Sequence, residues 1–503
     1  MLAPTISAVD TPRGATLAST NTRSTSGFAK HALLFTGANL LSLGLNGALA
    51  FLIPKLLSIN DYGYYRLFVL YGSFAGLLHL GFIDGLIVRW AAQPKRRIKS
   101  ELDAALRFLL FEHVFLLGVL LVFTLFYRGL QWLWLVLATA GYVIFWNWAS
   151  LGQSALQALK RFEPISLLVI SGPGLFLLST IGLHAAKMLD LNSLLFACVL
   201  SNLFAAAVQW FYVKRIVPSG PQVAAGAWKV GAGNLRLGWS ILGANVLATV
   251  ALALDRLAVS AKFSIREFAI YSFACNALSL TYSMVIAVSM VAFPYLSEGI
   301  SEQSRCRVYR IAEDSLLLLW ATGLATFFPI AWTIAHWLPS YVSSLPLLRI
   351  LMLPIGLTAG IYVLHSPYFR VTLKQNRFLA AASIGAVSAG IFIWWGVRIR
   401  SLEWIATAMV SSALAWWLAD EFLLRESVRR DMPAIFRSLG RVVVCGCVFW
   451  FCTARPDSPL YFLIYLGWTA LLFATAGRRV FRIARPHISQ VISRVQFGNG
   501  FFN

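Results

Sequence analysis

The sequence has little charge. Of 503 residues only 12% are Asp, Glu, Lys or Arg, where a soluble domain carries about a quarter. A soluble chain of this length needs a polar skin over its core, and these few charges cannot supply one. The shortage excludes a soluble enzyme and a disordered protein, and it makes lipid the solvent for most of the chain. Acids are scarcer still: 20 against 42 basic residues, a formal net charge of +22. In a soluble chain that excess would point to nucleic acid. In a membrane chain it reflects basic residues gathered in cytoplasmic loops and beside anionic lipid headgroups, so no nucleic-acid partner is expected. Six cysteines are present, most inside apolar runs, and no histidine neighbours Cys445 or Cys447. No disulfide framework, metal, redox role or other cofactor follows. Long polar segments are missing as well. No stretch between apolar runs could hold a soluble domain or a phosphate-binding glycine loop. Direct ATP hydrolysis is therefore not expected, nor is a polytopic glycosyltransferase, which needs an outer segment bearing acids.

What remains is apolar: 59% of the chain. A helix needs about 20 apolar residues to cross the hydrocarbon. Such runs recur at 32–54, 64–88, 106–127, 132–152, 164–183, 193–213, 237–258, 267–293, 315–338, 346–366, 378–397, 403–423, 439–454 and 459–476. Lone strands would leave backbone groups unpaired in lipid, and the short alternating segments of an outer-membrane barrel are not found. The expected fold class is an all-α polytopic membrane protein with about fourteen transmembrane helices. The thirteenth run is the weakest, with Arg437 and Arg441 near its start. Residues 1–30, rich in Ser, Thr and Ala, lack the apolar core of a signal peptide and read as a disordered cytoplasmic tail; 478–503 read as a basic cytoplasmic tail. With the N-terminus inside and fourteen crossings, 31 basic residues fall inside, counting Arg107 and Arg441 at the inner ends of their runs, and 8 outside, while Arg66, Arg256 and Arg349 lie deeper within spans. That asymmetry places both termini in the cytoplasm.

The chain also repeats. A shift of 206 residues carries Gly37-Ala38-Asn39 onto Gly243-Ala244-Asn245, and LSINDYGYY (57–65) onto FSIREFAIY (263–271). Each match keeps its place in a span–loop–span unit. Span 1 falls on span 7, so both units cross in the same direction. Two six-helix lobes, 31–215 and 236–423, are expected about an axis along the membrane normal, with two extra helices over 437–477.

The segment LLSINDYGYYRLFVLYGSFAGLLHLGFIDGL (56–86), preceded by a Gly-Ala-Asn helix, resembles the opening of bacterial Wzx-type polysaccharide flippases. Asp255-Arg256 followed by Phe268-Ala269-Ile270-Tyr271 resembles that family's Asp…Gly-x-Tyr pattern, with Ala269 in place of the glycine. The resemblance covers about 30–300. Its superfamily also holds lipid II flippases and multidrug exporters, in which two lobes enclose a central cleft. It implies alternating-access translocation of undecaprenyl-pyrophosphate-linked oligosaccharide across the bacterial inner membrane for surface polysaccharide biosynthesis. A polysaccharide polymerase and a chain-length regulator are the implied protein partners. A cation-coupled exporter of small molecules on the same fold is the alternative.

Polar groups inside spans are costly and point to function. Asn39 and Asn46 share a stripe of span 1, Asn245 and Arg256 one of span 7, and Asn276 belongs to one of span 8. Arg66, Ser73 and Asp84 share a face if span 2 is one helix, since 18 residues make five turns. Asn39, Asn46, Arg66, Asn245, Arg256 and Asn276 are the candidate substrate-binding residues of the cleft. The amides suit sugar hydroxyls, and guanidinium groups suit phosphate oxygens. Glu112, Asp255 and Asp84 are the candidate ion-coupling residues. For Asp84 with Arg89 a salt-bridged anchor is the competing reading. His79, His336 and His365 read as structural, and Gly81 with Gly85 as a helix-packing pair. No cluster of acids and histidines stands out at either interface.

Overall fold

The computed structural model describes residues 22–91, 95–127, 133–159, 161–216, 227–279, 302–371, 374–455, 458–478 and 480. Among the described residues the regular elements are all helices. In order they are α1 (Thr22–Leu56), α2 (Ile59–Gly72), α3 (Phe82–Ala91), α4 (Lys95–Tyr127), α5 (Leu133–Ala158), α6 (Phe162–Ala185), α7 (Leu191–Ile216), α8 (Ala227–Lys262) and α9 (265–279). Then come α10 (Glu302–Ala325), α11 (Phe327–Trp337), α12 (Leu345–Met352), α13 (Ile355–Ala359), a π-helical turn (Gly360–His365), α14 (Ser366–Val371), α15 (Gln375–Arg398), α16 (Leu402–Leu424), α17 (Met432–Cys452) and α18 (Pro459–Leu472). Among the described residues ten helical stretches are long and apolar enough to cross a membrane, and one bent pair, taken as a single span, makes an eleventh. Helices are the form in which lipid-exposed backbone pairs within its own segment. Large apolar side chains stand on the outer surface, Phe196 at 68% and Leu178 at 67% exposure. Acyl chains suit such a surface and water does not. The protein is a multi-pass membrane protein.

Within the described residues the fourteen apolar runs fall on helix, with three differences. The run 64–88 is broken: α2 ends at Gly72 and α3 begins at Phe82, with a 3₁₀ turn at Ala75–Leu77 between them. Leu80 (φ 48°) and Gly81 (φ 80°) reverse the backbone there, a conformation that costs least at glycine. Arg66 and Asp84 therefore do not share one helical face. The run 346–366 bends by 41° at Leu353-Pro354, because proline removes a backbone donor and clashes with the preceding turn. The run 267–293 begins as α9 and then leaves the described residues. α1 starts at Thr22, so 22–30, expected as tail, is helix; once nucleated, a helix extends cheaply. The expected tails over 1–21 and beyond 480 lie outside the described residues.

The helices up to α7 pack largely among themselves, α1 on α6 and α5 on α7, while α15 packs on α16, and α18 on α10 and α17. α8 touches both groups, meeting α3 and α4 as well as α15 and α16. Its crossing with α3 is a backbone contact. A methyl group added at Gly85 would overlap the carbonyl oxygen of Asn234, and one at Gly238 would overlap that of Gly81. Small residues permit this approach in lipid, where packing rather than water exclusion drives association. Gly81 and Gly85 are thus packing residues, as their spacing predicts.

Candidate functional site

The repeat-equivalent turns after α1 and α8 are built alike. The Ser58 hydroxyl donates to Asp61 Oδ2 at 2.7 Å and accepts from the Asp61 amide at 3.1 Å. Ser264 does the same with Glu267, at 2.7 and 3.3 Å. Both are capping arrangements in which a serine and an acid three residues on satisfy the free amides of a helix start. They launch α2 and α9 side by side. Gly63 lies against Ile265, with space for a Cβ only 2.6 Å from the Ile265 carbonyl oxygen. An aromatic cluster seals this end: Tyr62, Phe273 and Tyr341 have ring centroids 4.6 to 6.2 Å apart. Lys55 Nζ donates to the Trp337 carbonyl at 2.9 Å.

Just inside that seal, Arg66 Nη1 donates to Asn276 Oδ1 at 3.3 Å, joining α2 to α9. Asp255 is buried and accepts from the Tyr271 hydroxyl at 2.8 Å. Arg256 stays partly exposed, its Nε 3.9 Å from Asp255. Both guanidinium groups lie within electrostatic reach of the Cys275 side chain. The fold thus gathers Arg66, Arg256, Asn276 and Asp255 from three helices into one cationic patch on the seam. Arg66 Nε has no hydrogen-bond partner among the described residues. A half-satisfied guanidinium suits a planar, oxygen-rich anion.

Asn39 and Asn46 are exposed on α1, where the Asn46 amide donates to Ser42 on its own helix at 2.8 Å. Asn245 belongs to α8, and its side chain lies outside the described ones. Asp84 is half-buried at the start of α3. Arg89 takes Glu101 as its partner at 2.8 Å, and the Trp90 indole donates to the same carboxylate at 3.2 Å. Arg89 is thus anchored by Glu101, which α4 carries beside the end of α3. Glu112 is buried on α4, and neither oxygen has a hydrogen-bond partner among the described residues. The neighbouring His113 instead bonds Asn147 of α5 at 2.9 Å.

Sequence reasoning missed one ionic cluster. His365, read as structural, is fully buried between Asp420 (3.1 Å) and Glu421 (3.3 Å) of α16. Glu421 also accepts from Arg430 at 2.8 Å and from the Tyr309 hydroxyl at 2.9 Å. Arg430 and Arg441 share Glu313 of α10, at 3.3 and 3.1 Å, and Arg441 also holds Asp314. This is the acid–histidine cluster that the linear chain does not display. The Asp-Glu pair in the last turn of an apolar run was the available signal. The pairing with Glu313 and Asp314 also explains how α17 carries Arg441 within its run.

These helices and seams define a polytopic helical transporter fold. Over 90% of this chain and 99% of the other, the structure is similar to lipid II flippase MurJ in an inward closed conformation, with a TM-score of 0.68 at 14% identity. It is also similar to an inward-facing multidrug resistance MATE family transporter of the MOP superfamily: TM-score 0.57, 14% identity, 79% of this chain and 96% of that one. A third relative in fold is the Vibrio cholerae MATE transporter VcmN, with a TM-score of 0.52 at 15% identity over 81% of this chain and all of that one (100%). At such identity the likeness is one of fold. No curated protein matches the sequence. The chain belongs to the polysaccharide biosynthesis protein family, whose model matches residues 23–313.

Proposed function

We propose that this protein translocates undecaprenyl-pyrophosphate-linked oligosaccharide units across the bacterial cytoplasmic membrane by alternating access, for surface polysaccharide biosynthesis. The polar head of such a lipid cannot cross hydrocarbon unaided, whereas its polyprenyl tail can stay in the bilayer. The protein's task is then non-enzymatic: to give the head a hydrophilic, cationic path. The observation that carries this reading is the seam patch, where Arg66 of α2 bonds Asn276 of α9 and both Arg66 and Arg256 lie within electrostatic reach of Cys275. In this reading the guanidinium groups hold the diphosphate, while Asn39, Asn46 and Asn245 line the remaining path and bond sugar hydroxyls. Lobes 31–215 and 236–423 rock around it, with 437–477 as an appended pair and both termini in the cytoplasm. The sealed turns at Ser58 and Ser264 then face outward. Anionic lipids at the basic loops, a polymerase and a chain-length regulator complete the partners.

A second reading, cation-coupled export of small molecules on the same fold, is favoured by one observation: the buried Glu112 carboxylate, an expensive group unless it takes a proton or cation. Asp84 and Asp255 are the other coupling candidates. The test is transfer of defined lipid-linked saccharides across proteoliposome membranes. Wild type is expected to flip the diphosphate-linked substrate. Arg256→Ala is expected to lose most of the rate, and Arg256→Lys to recover only part. Wild-type rates in both variants would remove Arg256 from the path, and drug export without flipping would favour the second reading.

A further inference from the structure

The transport path proposed above makes no use of the ionic cluster around His365. That histidine closes the π-helical turn Gly360–His365, an irregularity frequently found at functional sites. Its Nδ1 faces Asp420 Oδ2 at 3.1 Å and its Nε2 faces Glu421 Oε1 at 3.3 Å. Ionised carboxylates only accept hydrogen bonds. The ring therefore satisfies both acids only as the imidazolium, with both N–H groups donating.

The two acids are held unequally. Glu421 has Arg430 and the Tyr309 hydroxyl in addition to the histidine. Asp420 is fully buried, and its Oδ1 has no hydrogen-bond partner among the described residues. His365 and Arg430 balance Asp420 and Glu421 while the imidazole carries its second proton. Removing that proton leaves one buried carboxylate uncompensated, which low-dielectric surroundings penalise heavily. The acids nearby deepen that deficit: Glu313 and Asp314 of α10 share Arg441 of α17, and Glu313 draws on Arg430 as well at 3.3 Å, while Arg377 of α15 pairs with Glu426 at 4.0 Å. Lys374 donates to the Ser427 hydroxyl.

A small, partly open pocket of about 40 Å³ adjoins the cluster, lined by Glu421, Leu364, Glu313, Ser438 and Arg441 among others. We infer that His365, Asp420 and Glu421 form a proton-binding site that exchanges one proton with water through this pocket, and that its occupancy is tied to the packing of α16 against the π turn. On release, the Nε2–H bond breaks and the proton passes to Glu421 Oε1 and on to water in the pocket. The imidazole is left neutral, with Nδ1–H still on Asp420. The net negative quartet then favours separation of α16 from the turn, and rebinding restores the contact.

The site can be tested without any transport assay. The full-length chain is labelled with nitrogen-15 histidine, reconstituted in lipid and studied by solid-state NMR. Of its seven histidines, His365 is assigned as the signal missing from His365→Gln; if that variant does not fold, the signal that moves in Asp420→Asn assigns it. The expected result is a ring with both nitrogens protonated at neutral pH, converting to the Nδ1–H neutral form as the pH is raised over the range in which the protein stays folded. The isosteric Asp420→Asn and Glu421→Gln are each expected to abolish the doubly protonated state at neutral pH. A singly protonated ring in wild type, a state that ignores pH over that range, or a doubly protonated ring persisting in both variants overturns the proposal.

Discussion

Asp190 and Ser193 close the turn that starts α7. The Ser193 amide donates to Asp190 Oδ1 at 2.8 Å, and the Asp190 amide donates to Ser193 Oγ at 2.9 Å. The side-chain and backbone bonds from Ser193 hold the Asp190 carboxyl below the usual carboxylate range. A carboxyl depressed in the folded state contributes stability above its unfolded value, and that contribution disappears as the pH falls through the folded one. Ser193→Ala should therefore lower the unfolding midpoint at neutral pH, with the gap to wild type closing on acidification through the carboxylate range. Thermal unfolding followed against pH checks this; a gap that grows with acid contradicts it. The same scale shows why the His365 cluster escaped the sequence. Asp420 and Glu421 sit at the end of an apolar run, where acids are cheap because headgroup water is near. Only the tertiary fold brings His365, Tyr309 and Arg430 to them and buries the group.

At the scale of elements, hydropathy located the fourteen helical runs because lipid enforces one rule on every span. It did not locate the break in 64–88. An apolar window does not register backbone direction, and the reversal at Leu80 and Gly81 replaces no apolar residue by a polar one. The Gly81/Gly85 spacing was legible as packing, but its partners on α8, Asn234 and Gly238, were not. Much of the candidate site was legible in the same partial way. The repeat marked α2 and α9, and the in-span charges marked Arg66 and Arg256, yet the Arg66–Asn276 bond and the placing of Arg256 beside Asp255 required the fold. The α3–α8 crossing gives a direct test. A Cβ at Gly85 would overlap the backbone of Asn234, and backbone cannot rotate aside. Gly85→Ala should cost about 1–3 kcal/mol by overpacking, read as a lower unfolding midpoint in detergent. Gly243→Ala, whose added Cβ meets nothing within 4 Å, is the control and should leave the midpoint unchanged. Equal midpoints for the two variants would mean that the backbones do not approach this closely.

At the scale of the whole molecule, the two seams stand apart along the α2–α3 path. At one, the capped turns of α2 and α9 meet under the Tyr62–Phe273–Tyr341 cluster. At the other, α3 crosses α8 on glycine. Rocking of two lobes requires that the seams open alternately, and the first is held by side chains that can separate: three rings, the Lys55 ammonium on the Trp337 carbonyl, and the Arg66–Asn276 bond. In the cycle proposed above, opening it would unpair Arg66 and free the guanidinium for a substrate phosphate, so that the contact closing this end would become a binding group. Locking the seam should then stop transport while leaving the fold intact. Gly63 and Ile265 are in contact across it. With the six native cysteines replaced, Gly63→Cys paired with Ile265→Cys should form an oxidative cross-link that abolishes flipping, and reductant should restore it. A Cβ at Gly63 would sit 2.6 Å from the Ile265 carbonyl oxygen and strain the seam, so the reduced double variant is the reference rate, and the rate of each single variant should be unchanged by the same oxidant. If the fully cross-linked protein still flips its substrate, separation of α2 from α9 is no part of the transport cycle.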